Sequence, residues 1–314
     1  MKLQIIKNIK TGWKKITNIL LFGANGQLGK ELNQALKKTF SLDSYTKNEC
    51  DITNHNKVNE ILKQDYDVII NASGFTKVDD AETAKNHANK VNNLAIKNIV
   101  NTLKDRKTLL IHYSTDYVFD GKKKSPYSES DKTNPLNFYG QSKLDGELHI
   151  ISSHLNYFIF RTSWVYDNDS DNFPNKIINK FNKKKDLQII NDQVGTPTHV
   201  KLIANNTLKC IKYFLKSNDV TKRELSGLYH LTSSDYTSWY YFAHYLINAY
   251  TSKNKIDMVK IAKLKTSEFI TSAKRPLYSV LDCDKFEKTF SIKLESWKAY
   301  ADYFIRSKAW IVKE

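Results

Sequence analysis

A glycine-rich segment near the start of the chain constrains the fold more than any other feature. The apolar run Asn18–Phe22 has the composition of a buried strand, and a helical pattern extends over Lys30–Lys38. Between them lie Gly23, Gly26 and Gly29. Glycines at this spacing permit a tight turn, a close approach of backbone N–H groups to a pyrophosphate, and close helix packing. Since the helix N-terminus would face the phosphates with its partial positive charge, the segment predicts a dinucleotide-binding turn.

The first half of the chain alternates apolar runs with helical patterns. Residues 67–70 and 108–111 have the length and composition of buried strands. Because strands that alternate with helices form parallel sheets, we predict an α/β fold with a Rossmann-like, doubly wound parallel sheet between residues 19 and 150. Small side chains follow the run at 67–70 and would leave room for a cofactor at the sheet edge: Ala72, Ser73 and Gly74.

Residues near the second predicted strand bear on the type of coenzyme. This strand is predicted to end near Asp43, which stands 20 residues after the first glycine of the turn. An acidic residue at this distance often bonds the adenosine ribose 2′-hydroxyl of NAD. Ser44, Thr46 and Lys47 could instead accommodate a 2′-phosphate, so both NADH and NADPH stay open. Asp51–Ile52 fits either an adenine contact or an exposed turn.

Tyr139 and Lys143 are four residues apart and therefore share one face of a predicted helix. A neighbouring ammonium favours the phenolate, so the pair predicts a tyrosine of lowered pKa that donates a proton to a carbonyl being reduced. Taken alone, the pair is more typical of a solvated helix face, because the spacing occurs by chance in a lysine-rich chain. Upstream, Ser114 and Thr115 follow a predicted strand, where open α/β sheets bind ligands, and either hydroxyl could bond the substrate carbonyl oxygen.

The composition excludes several classes of protein. The net charge is +16, but the lysines are scattered, so we predict no nucleic-acid partner. No apolar run approaches the roughly 18 residues of a membrane span. Three cysteines without paired spacing and the absence of a signal-peptide pattern predict a cytoplasmic protein. Residues 1–17 form a predicted N-terminal extension, either a basic amphipathic helix or a loosely packed segment.

Seven blocks of the sequence, in the same order, carry a resemblance to a known family. The glycine turn, Tyr113–Gly121 and Pro135–Lys143 resemble the extended short-chain dehydrogenase/reductases and, within them, the dTDP-4-dehydrorhamnose reductases. The remaining blocks are Phe160–Tyr166, Ile190–Thr198, Gly227–Leu231 and Arg275–Pro276. The resemblance covers nearly everything from Asn18 to about Trp310.

The resemblance implies reduction of the C4 keto group of dTDP-4-dehydro-L-rhamnose to dTDP-L-rhamnose with NADPH or NADH. It assigns catalysis to Thr115, Tyr139 and Lys143, with Tyr139 as the proton donor. Residue patterns and resemblance together name these coenzyme contacts: Gly23, Asn25, Gly26, Gln27, Leu28, Gly29, Asp43, Asp51, Ile52, Ala72, Ser73, Gly74, Tyr139 and Lys143. The substrate contacts named in the same way are Ser114, Thr115, Trp164, Gln193, Thr198 and Arg275.

The chain is expected to divide into two domains after the extension. Residues 18–165, completed by 196–230, form the predicted dinucleotide-binding domain. Residues 166–195 and 231–314 form a smaller predicted substrate-binding α/β domain. An aromatic-rich helix at 237–250 is predicted to contribute to the core. Arg161 fits either a substrate contact or an internal ion pair.

Two departures from the family pattern concern assembly and the N-terminus. Some family members hold magnesium at a dimer interface through acidic side chains, and the matching positions here are Glu31, Lys201 and Lys298. Lysines cannot replace carboxylates as ligands, so we predict no metal and a monomer or a metal-independent dimer. Family members usually begin almost at the first strand, unlike this chain.

Other functions stay open beside the one implied. One is reduction of a different dTDP- or UDP-linked 4-keto-6-deoxysugar, or formation of the C4 epimer. Another is a non-catalytic regulatory role, because the resemblance extends to the regulatory subunit of methionine adenosyltransferase. The intact Thr115, Tyr139 and Lys143 favour catalysis.

Overall fold

The fold is described by a computed structural model of residues 17–104, 106–183, 186–254 and 260–307, so that the predictions for 1–16 lie outside it. In chain order its strands are β1 (Asn18–Phe22), β2 (Ser41–Tyr45), β3 (Val68–Asn71), β4 (Leu109–Thr115), β5 (Asn156–Thr162), β6 (Val165–Tyr166), β7 (Leu187–Ile190), β8 (Val194–Gly195), β9 (Thr198–His199), β10 (Gly227–His230), β11 (Thr237–Ser238) and β12 (Ile261–Leu264).

Helices alternate with the strands over most of the chain. They are α1 (Gln27–Leu36), α2 (His55–Ile61), α3 (Asp80–Thr83), α4 (Lys85–Asn89), α5 (Ala95–Leu103), α6 (Phe138–Ile151), α7 (Phe173–Asn182), α8 (Val200–Lys216), α9 (Asp219–Leu225), α10 (Trp239–Asn254), α11 (Asp284–Phe290) and α12 (Trp297–Ser307). A π-helical segment, Lys90–Leu94, joins α4 to α5. Two short 3-10 turns cover Asp116–Val118 and Thr266–Glu268.

Six of these strands form a parallel sheet in the order β2-β1-β3-β4-β5-β10. The chain reverses its direction of travel across the sheet between β1 and β3, and this is the point where a doubly wound sheet opens a crevice at the carboxyl ends of its strands. The predicted Rossmann-like sheet is therefore confirmed. β10 lies in the segment 196–230 that the sequence assigns to the same domain, whereas the division into domains itself stays a prediction.

Alternating side chains of the strands fill two cores, one on each face of the sheet. Ile19 and Leu21 point into a core completed by α8, whereas Leu20 and Phe22 point into a core completed by α5. Every residue of β3 and β4 is buried because both faces of the sheet are covered. The short apolar runs of the sequence thus correspond to central strands.

The C-terminal part adds three two-stranded sheets and a third core. The pairs are β8 with β11, β7 with β12, and β6 with β9. The core between α7, α10 and α12 contains fully buried Phe242, Tyr250 and Phe304, which agrees with the predicted core role of the aromatic helix. No helix among the described residues is long and apolar enough to span a membrane.

The boundary of the second strand differs from the prediction. The strand begins at Ser41 and continues to Tyr45, rather than ending near Asp43. The backbone N–H groups of Gly23 and Ala24 donate to the Tyr45 carbonyl, at 2.9 and 3.0 Å. This contact with the glycine turn stabilises the end of the strand two residues later than the acidic residue suggested.

Candidate active site

Two cavities lie side by side at the reversal point of the sheet. The large cavity, of about 390 Å³, extends from the glycine turn to the residues that follow β4 and β5. The small cavity, of about 210 Å³, extends from the same turn to residues 47–52 and 87–91. Gly26, Ala72, Ser73 and Gly74 belong to the walls of both. The arrangement matches the two halves of a dinucleotide joined across the turn.

The geometry of the glycine turn explains why it excludes side chains. Gly23 has a φ of +81°, and a Cβ there would lie 2.7 Å from the backbone N of Ser73. A Cβ on Gly29 would lie 1.9 Å from the Gly23 carbonyl oxygen, which is the close packing that the spacing predicts. The N-cap of α1 is Gly26, without a side-chain hydrogen bond and without an acidic residue in the first turn. The N–H groups at this helix start thus suit an anionic ligand.

Three buried polar atoms in the wall of the large cavity have no hydrogen-bond partner within the described ranges. They are Gln27 Oε1, Ser114 Oγ and Thr162 Oγ1. A buried polar atom without a partner costs about 1–3 kcal/mol. The wall therefore fits a ligand that carries polar groups, such as a nicotinamide nucleotide and a sugar.

The wall of the small cavity contains Lys47 but not Asp43, the residue that was predicted to bond the adenosine ribose. Asp43 pairs with Leu20 in the middle of β2, accepts a hydrogen bond from Tyr66 at 2.8 Å and lines neither cavity. Lys47 does line the small cavity, together with Asp51 and Ile52. Asp43 misses the cavity because β2 continues beyond it.

The start of α6 brings Tyr139 to the end of β4. The Asn137 side chain caps the helix by accepting a hydrogen bond from the Gly140 N–H at 2.8 Å. A Cβ on Gly140 would lie 2.2 Å from the Tyr117 carbonyl oxygen, so only glycine allows the helix to pack this closely on the turn after β4. Tyr139 and Thr115 consequently lie close together in the wall of the large cavity, where the Thr115 hydroxyl donates to Asp116 Oδ1 at 3.1 Å. Ser114, beside Thr115, lines the same wall.

The pKa of Tyr139 departs from the prediction of a lowered value. Loss of hydration in the cavity wall raises the pKa of Tyr139 to about 12, and the nearby Thr115 hydroxyl opposes this shift only in part. The nearby Asp116 raises it further. Burial likewise raises the pKa of Asp116 to about 6. The prediction of a lowered tyrosine pKa is therefore wrong for this structure, because burial raises the pKa of Tyr139 more than its neighbours lower it.

Lys143 lies one turn after Tyr139 and is only 4% exposed. Its ammonium donates to the carbonyl oxygen of Tyr113, and its Nζ lies 3.3 Å from His112 Nε2. Burial lowers the pKa of Lys143 to about 8, and the charge of Glu147 opposes that shift. His112 gave no signal in the sequence analysis, because a histidine within an apolar strand is also typical of a core.

Two stacked tryptophans, both from the second half of the chain, form part of the wall of the large cavity. Trp164, with a φ of +46°, stacks on Trp239 with ring centroids 3.5 Å apart and an angle of 7°. A Cβ on Gly195 would lie 2.6 Å from the Trp164 ring, so only glycine at this position leaves room for the indole. Trp239 was not predicted at the site, since its aromatic helix indicated only a core.

Several predicted substrate contacts lie outside the cavity wall. Gln193 is buried and donates to Thr266 Oγ1 at 3.2 Å, and Thr198 is buried and donates to the Thr196 carbonyl at 3.2 Å. Arg275 forms an ion pair with Asp79 and lines neither cavity. The loop from 190 to 198 therefore supports the site through Gly195 rather than through these two side chains.

Arg161 is an internal residue. It forms a buried ion pair with Glu147, with 2.6 Å between Nη2 and Oε2, and its guanidinium lies 5.2 Å from the Phe119 ring centroid. Of the two alternatives for Arg161, the structure shows the ion pair.

The positions that bear magnesium ligands in some family members lie away from both cavities. Lys201 stands over the Tyr303 ring at 4.2 Å, and Lys298 lies 5.8 Å from the Trp297 ring centroid. Within residues 17–307, gaps excepted, no group of three His, Cys, Asp or Glu side chains is arranged to hold a metal. The absence of a metal stays a prediction.

Fold and site define a class of protein. A parallel doubly wound sheet with a glycine turn at its reversal point, and with a tyrosine and a buried lysine beside the end of β4, resembles an extended short-chain dehydrogenase/reductase. The family model described as the RmlD substrate binding domain matches residues 17–309. The chain belongs to the dTDP-4-dehydrorhamnose reductase family.

Individual relatives agree with this assignment. The dTDP-4-dehydrorhamnose reductase of Escherichia coli (strain K12) is 36% identical over 287 residues, covering 90% of this chain and 94% of the relative. A dTDP-4-dehydrorhamnose reductase from Bacillus anthracis, solved in complex with NADP, has a TM-score of 0.84 at 29% identity, covering 93% of this chain and 100% of its own. An ortholog from Clostridium acetobutylicum has a TM-score of 0.83 at 36% identity, covering 93% and 99% of the two chains.

Proposed function

We propose that this protein reduces the C4 keto group of dTDP-4-dehydro-L-rhamnose to give dTDP-L-rhamnose, with NADPH as the preferred coenzyme. Family membership supports the reaction. The observation that carries it is the meeting of Ser114, Thr115, Tyr139 and Lys143 in the wall of one cavity that begins at the glycine turn. A carbonyl placed there would have hydroxyl donors on one side and the coenzyme turn on the other.

The proposed coenzyme site consists of the glycine turn and both cavities. Gly23, Gly26 and Gly29, with Asn25, Gln27 and Leu28, form the turn and the start of α1. Ala72, Ser73 and Gly74 separate the two cavities, and Asp51 and Ile52 line the adenosine side. A nicotinamide coenzyme bound in this site supplies the hydride. Lys47, in the wall of the small cavity, offers a cation to a 2′-phosphate, and the Bacillus anthracis relative was solved with NADP.

The side chains divide the proton chemistry between them. Because its pKa is raised, Tyr139 is a neutral phenol at physiological pH and holds the proton that the developing C4 alkoxide needs. Thr115 lies close to Tyr139 in the same wall and stands where negative charge grows. Ser114 Oγ has no partner among the described residues and is available to the substrate oxygen. Charged Lys143 stabilises the phenolate that forms once Tyr139 has given up its proton.

The substrate end of the proposed site is aromatic. Trp164 and Trp239 present an apolar wall that suits the 6-deoxy face of the sugar. Three further proposed substrate contacts do not line the cavity, and they would reach the substrate only through a movement of their loops when it binds. They are Gln193, Thr198 and Arg275. Two alternatives compete with this reaction. The substrate could be a UDP-linked sugar, and the product could be the C4 epimer.

We extend the proposal to organisation and assembly. Residues 18–165 and 196–230 form the coenzyme domain, and 166–195 with 231–314 form the substrate domain, since β10 joins the sheet and α7, α10 and α12 share a separate core. A monomer or a metal-independent dimer follows from the lysines at 201 and 298. The three free cysteines fit a cytoplasmic enzyme.

An assay of coenzyme oxidation with dTDP- and UDP-4-keto-6-deoxysugars tests the function. For the wild type we expect turnover on dTDP-4-dehydro-L-rhamnose and dTDP-L-rhamnose as the product. Tyr139→Phe should lower kcat by roughly a hundredfold or more, the usual range for loss of a positioned acid. Tyr213→Phe, on an exposed tyrosine of α8, is the matched control and should retain full activity. Equal activity of Tyr139→Phe and the wild type would contradict the mechanism.

A further inference from the structure

A chain of polar groups connects the loop after β3, which lines both cavities, to Lys143. The Ser73 N–H donates to Asn71 Oδ1 at 3.0 Å, and Asn71 Nδ2 lies 3.2 Å from His112 Nδ1. His112 Nε2 lies 3.3 Å from Lys143 Nζ. Asn71 and His112 are each 1% exposed and belong to the adjacent strands β3 and β4. The mechanism above uses neither of them.

The direction of these hydrogen bonds follows from the backbone. A backbone N–H can only donate, so the Asn71 oxygen must face Ser73 and its NH₂ must face His112. His112 Nδ1 then has to accept, and a neutral imidazole that accepts at Nδ1 carries its proton on Nε2. The ring is neutral, because burial and the charge of Lys143 hold the pKa of His112 well below its usual range. The Nε2–H therefore faces the lysine nitrogen.

An Nε2–H in this position acts differently on the two forms of Lys143. Against the ammonium it sets two donors face to face, whereas the uncharged amine can accept its hydrogen bond. The His112 ring thus favours the amine. The Tyr113 carbonyl of β4 and the Glu147 carboxylate of α6 favour the ammonium, although Glu147 is also engaged by Arg161 of β5.

Among the residues that the structure describes, Glu147 is the one charged group that shifts the pKa of Lys143, and the remaining elements around Lys143 contribute uncharged groups. The loop after β3 contributes Gly74, whose Cβ position would be 3.9 Å from Nζ. The π-helical segment faces α6 through Asn92, which donates to Ser142 at 3.0 Å. In the described part of the chain, His112 is thus the group whose hydrogen bond can shift the protonation equilibrium of Lys143 towards the uncharged amine.

We propose that His112, oriented by Asn71, is a positioning residue that acts through Lys143 and sets the pH above which Lys143 loses its proton. The inference rests on the proposed function, in which charged Lys143 assists Tyr139. Activity is then lost as the pH rises through the pKa of Lys143. Removal of the Nε2–H stabilises the ammonium and moves this alkaline limit to higher pH.

His112→Gln tests the proposal, because the glutamine amide can turn its oxygen towards Lys143. We expect the alkaline limb of the kcat–pH profile to move up by about one pH unit, with KM for the sugar nucleotide changed less than about twofold. A second measurement needs no turnover. In the coenzyme-free protein, the ¹³Cε signal of Lys143, assigned by its loss in Lys143→Arg, should titrate with a midpoint shifted in the same direction.

Two further variants separate positioning from mere packing. His230→Gln removes another fully buried histidine of the sheet, at the end of β10 and outside both cavities, and should lower stability without moving either pH midpoint. His112→Leu also lacks the Nε2–H but offers the ammonium no acceptor, so its pH limit should rise by less than that of His112→Gln. These variants keep the test decisive if His112→Gln folds poorly.

The outcomes distinguish the inference from the proposed function. Unchanged midpoints in both folded His112 variants would overturn the role of His112. A wild-type protein that turns over no nucleotide-linked keto sugar would count against the proposed function, while the titration of Lys143 would still decide the inference.

Discussion

Burial acts in opposite directions on the two groups that we assign to proton transfer. It raises the pKa of Tyr139 to about 12 and lowers that of Lys143 to about 8, because each group loses hydration of its charged form. At neutral pH the phenol thus keeps its proton until the substrate oxygen takes it, while Lys143 stays charged. We therefore expect the alkaline limit of activity to follow Lys143 rather than Tyr139.

Coenzyme preference is a second property of a single side chain. Lys47 lines the small cavity, and 64% of its side chain is exposed. Its Nζ lies 3.9 Å from Asp51 Oδ2. Lys47→Glu should raise KM for NADPH roughly tenfold or more, with a much smaller change for NADH, because a charge-assisted contact with the 2′-phosphate is lost. Steady-state kinetics with both coenzymes measures this.

The control for Lys47→Glu is the same charge reversal elsewhere. Lys63 is exposed and lines neither cavity, so Lys63→Glu should leave both KM values unchanged. An equal rise in KM for NADPH and for NADH in Lys47→Glu would show that Lys47 does not bind the 2′-phosphate.

At the scale of secondary structure, α6 carries the proposed catalytic pair and is anchored at several points. Asn137 caps its start and also donates to the Lys274 carbonyl at 2.9 Å. Its middle packs on the π-helical segment, where a Cβ on Gly146 would lie 2.2 Å from the Asn92 carbonyl oxygen. These contacts fix the rotation of the helix, and with it the direction of Tyr139 and Lys143.

Loss of the α6 cap should therefore impair activity more than stability. Asn137→Ala is expected to cost about 1 kcal/mol of unfolding free energy, and kcat should fall by more than tenfold because the first turn carries Tyr139. Denaturant unfolding and steady-state kinetics measure the two effects.

Asn218→Ala is the matched cap variant, because Asn218 accepts from the Thr221 N–H at the start of α9. It should lose a similar stability and keep its kcat. Comparable activity in the two variants would argue that the cap of α6 does not position Tyr139.

At the scale of the whole molecule, a buried ion pair ties the catalytic helix to the sheet. Glu147 of α6 and Arg161 of β5 are 0% and 4% exposed. Glu147→Gln would leave the guanidinium buried without its counter-charge, so we expect a loss of roughly 3–5 kcal/mol in unfolding free energy. Chemical denaturation gives this value.

The exposed pair of Asp284 and Lys288 supplies the comparison, with 67% and 77% of the side chains exposed. Asp284→Asn should change stability by less than about 1 kcal/mol. Similar losses in the two variants would mean that burial does not govern the contribution of the Glu147 pair.

Prediction from the sequence succeeded where the signal is local along the chain. The glycine turn, the apolar strands and the family blocks are contiguous, and each specifies its own backbone geometry. It failed for Asp43, because the end of β2 depends on hydrogen bonds from the glycine turn. It also missed Trp239, whose stacking partner Trp164 lies 75 residues earlier in the chain.

The sequence by itself determined the parallel doubly wound sheet, the place of the glycine turn on it and the family. These follow from periodicity, glycine spacing and short motifs, all of which act within a few residues. Only the tertiary structure decided the titration of Tyr139 and Lys143 and the contact of Lys143 with His112. The physical reason is that hydration and hydrogen-bond direction depend on what strands β3 and β4 and helix α6 bring together, which no spacing along the chain records.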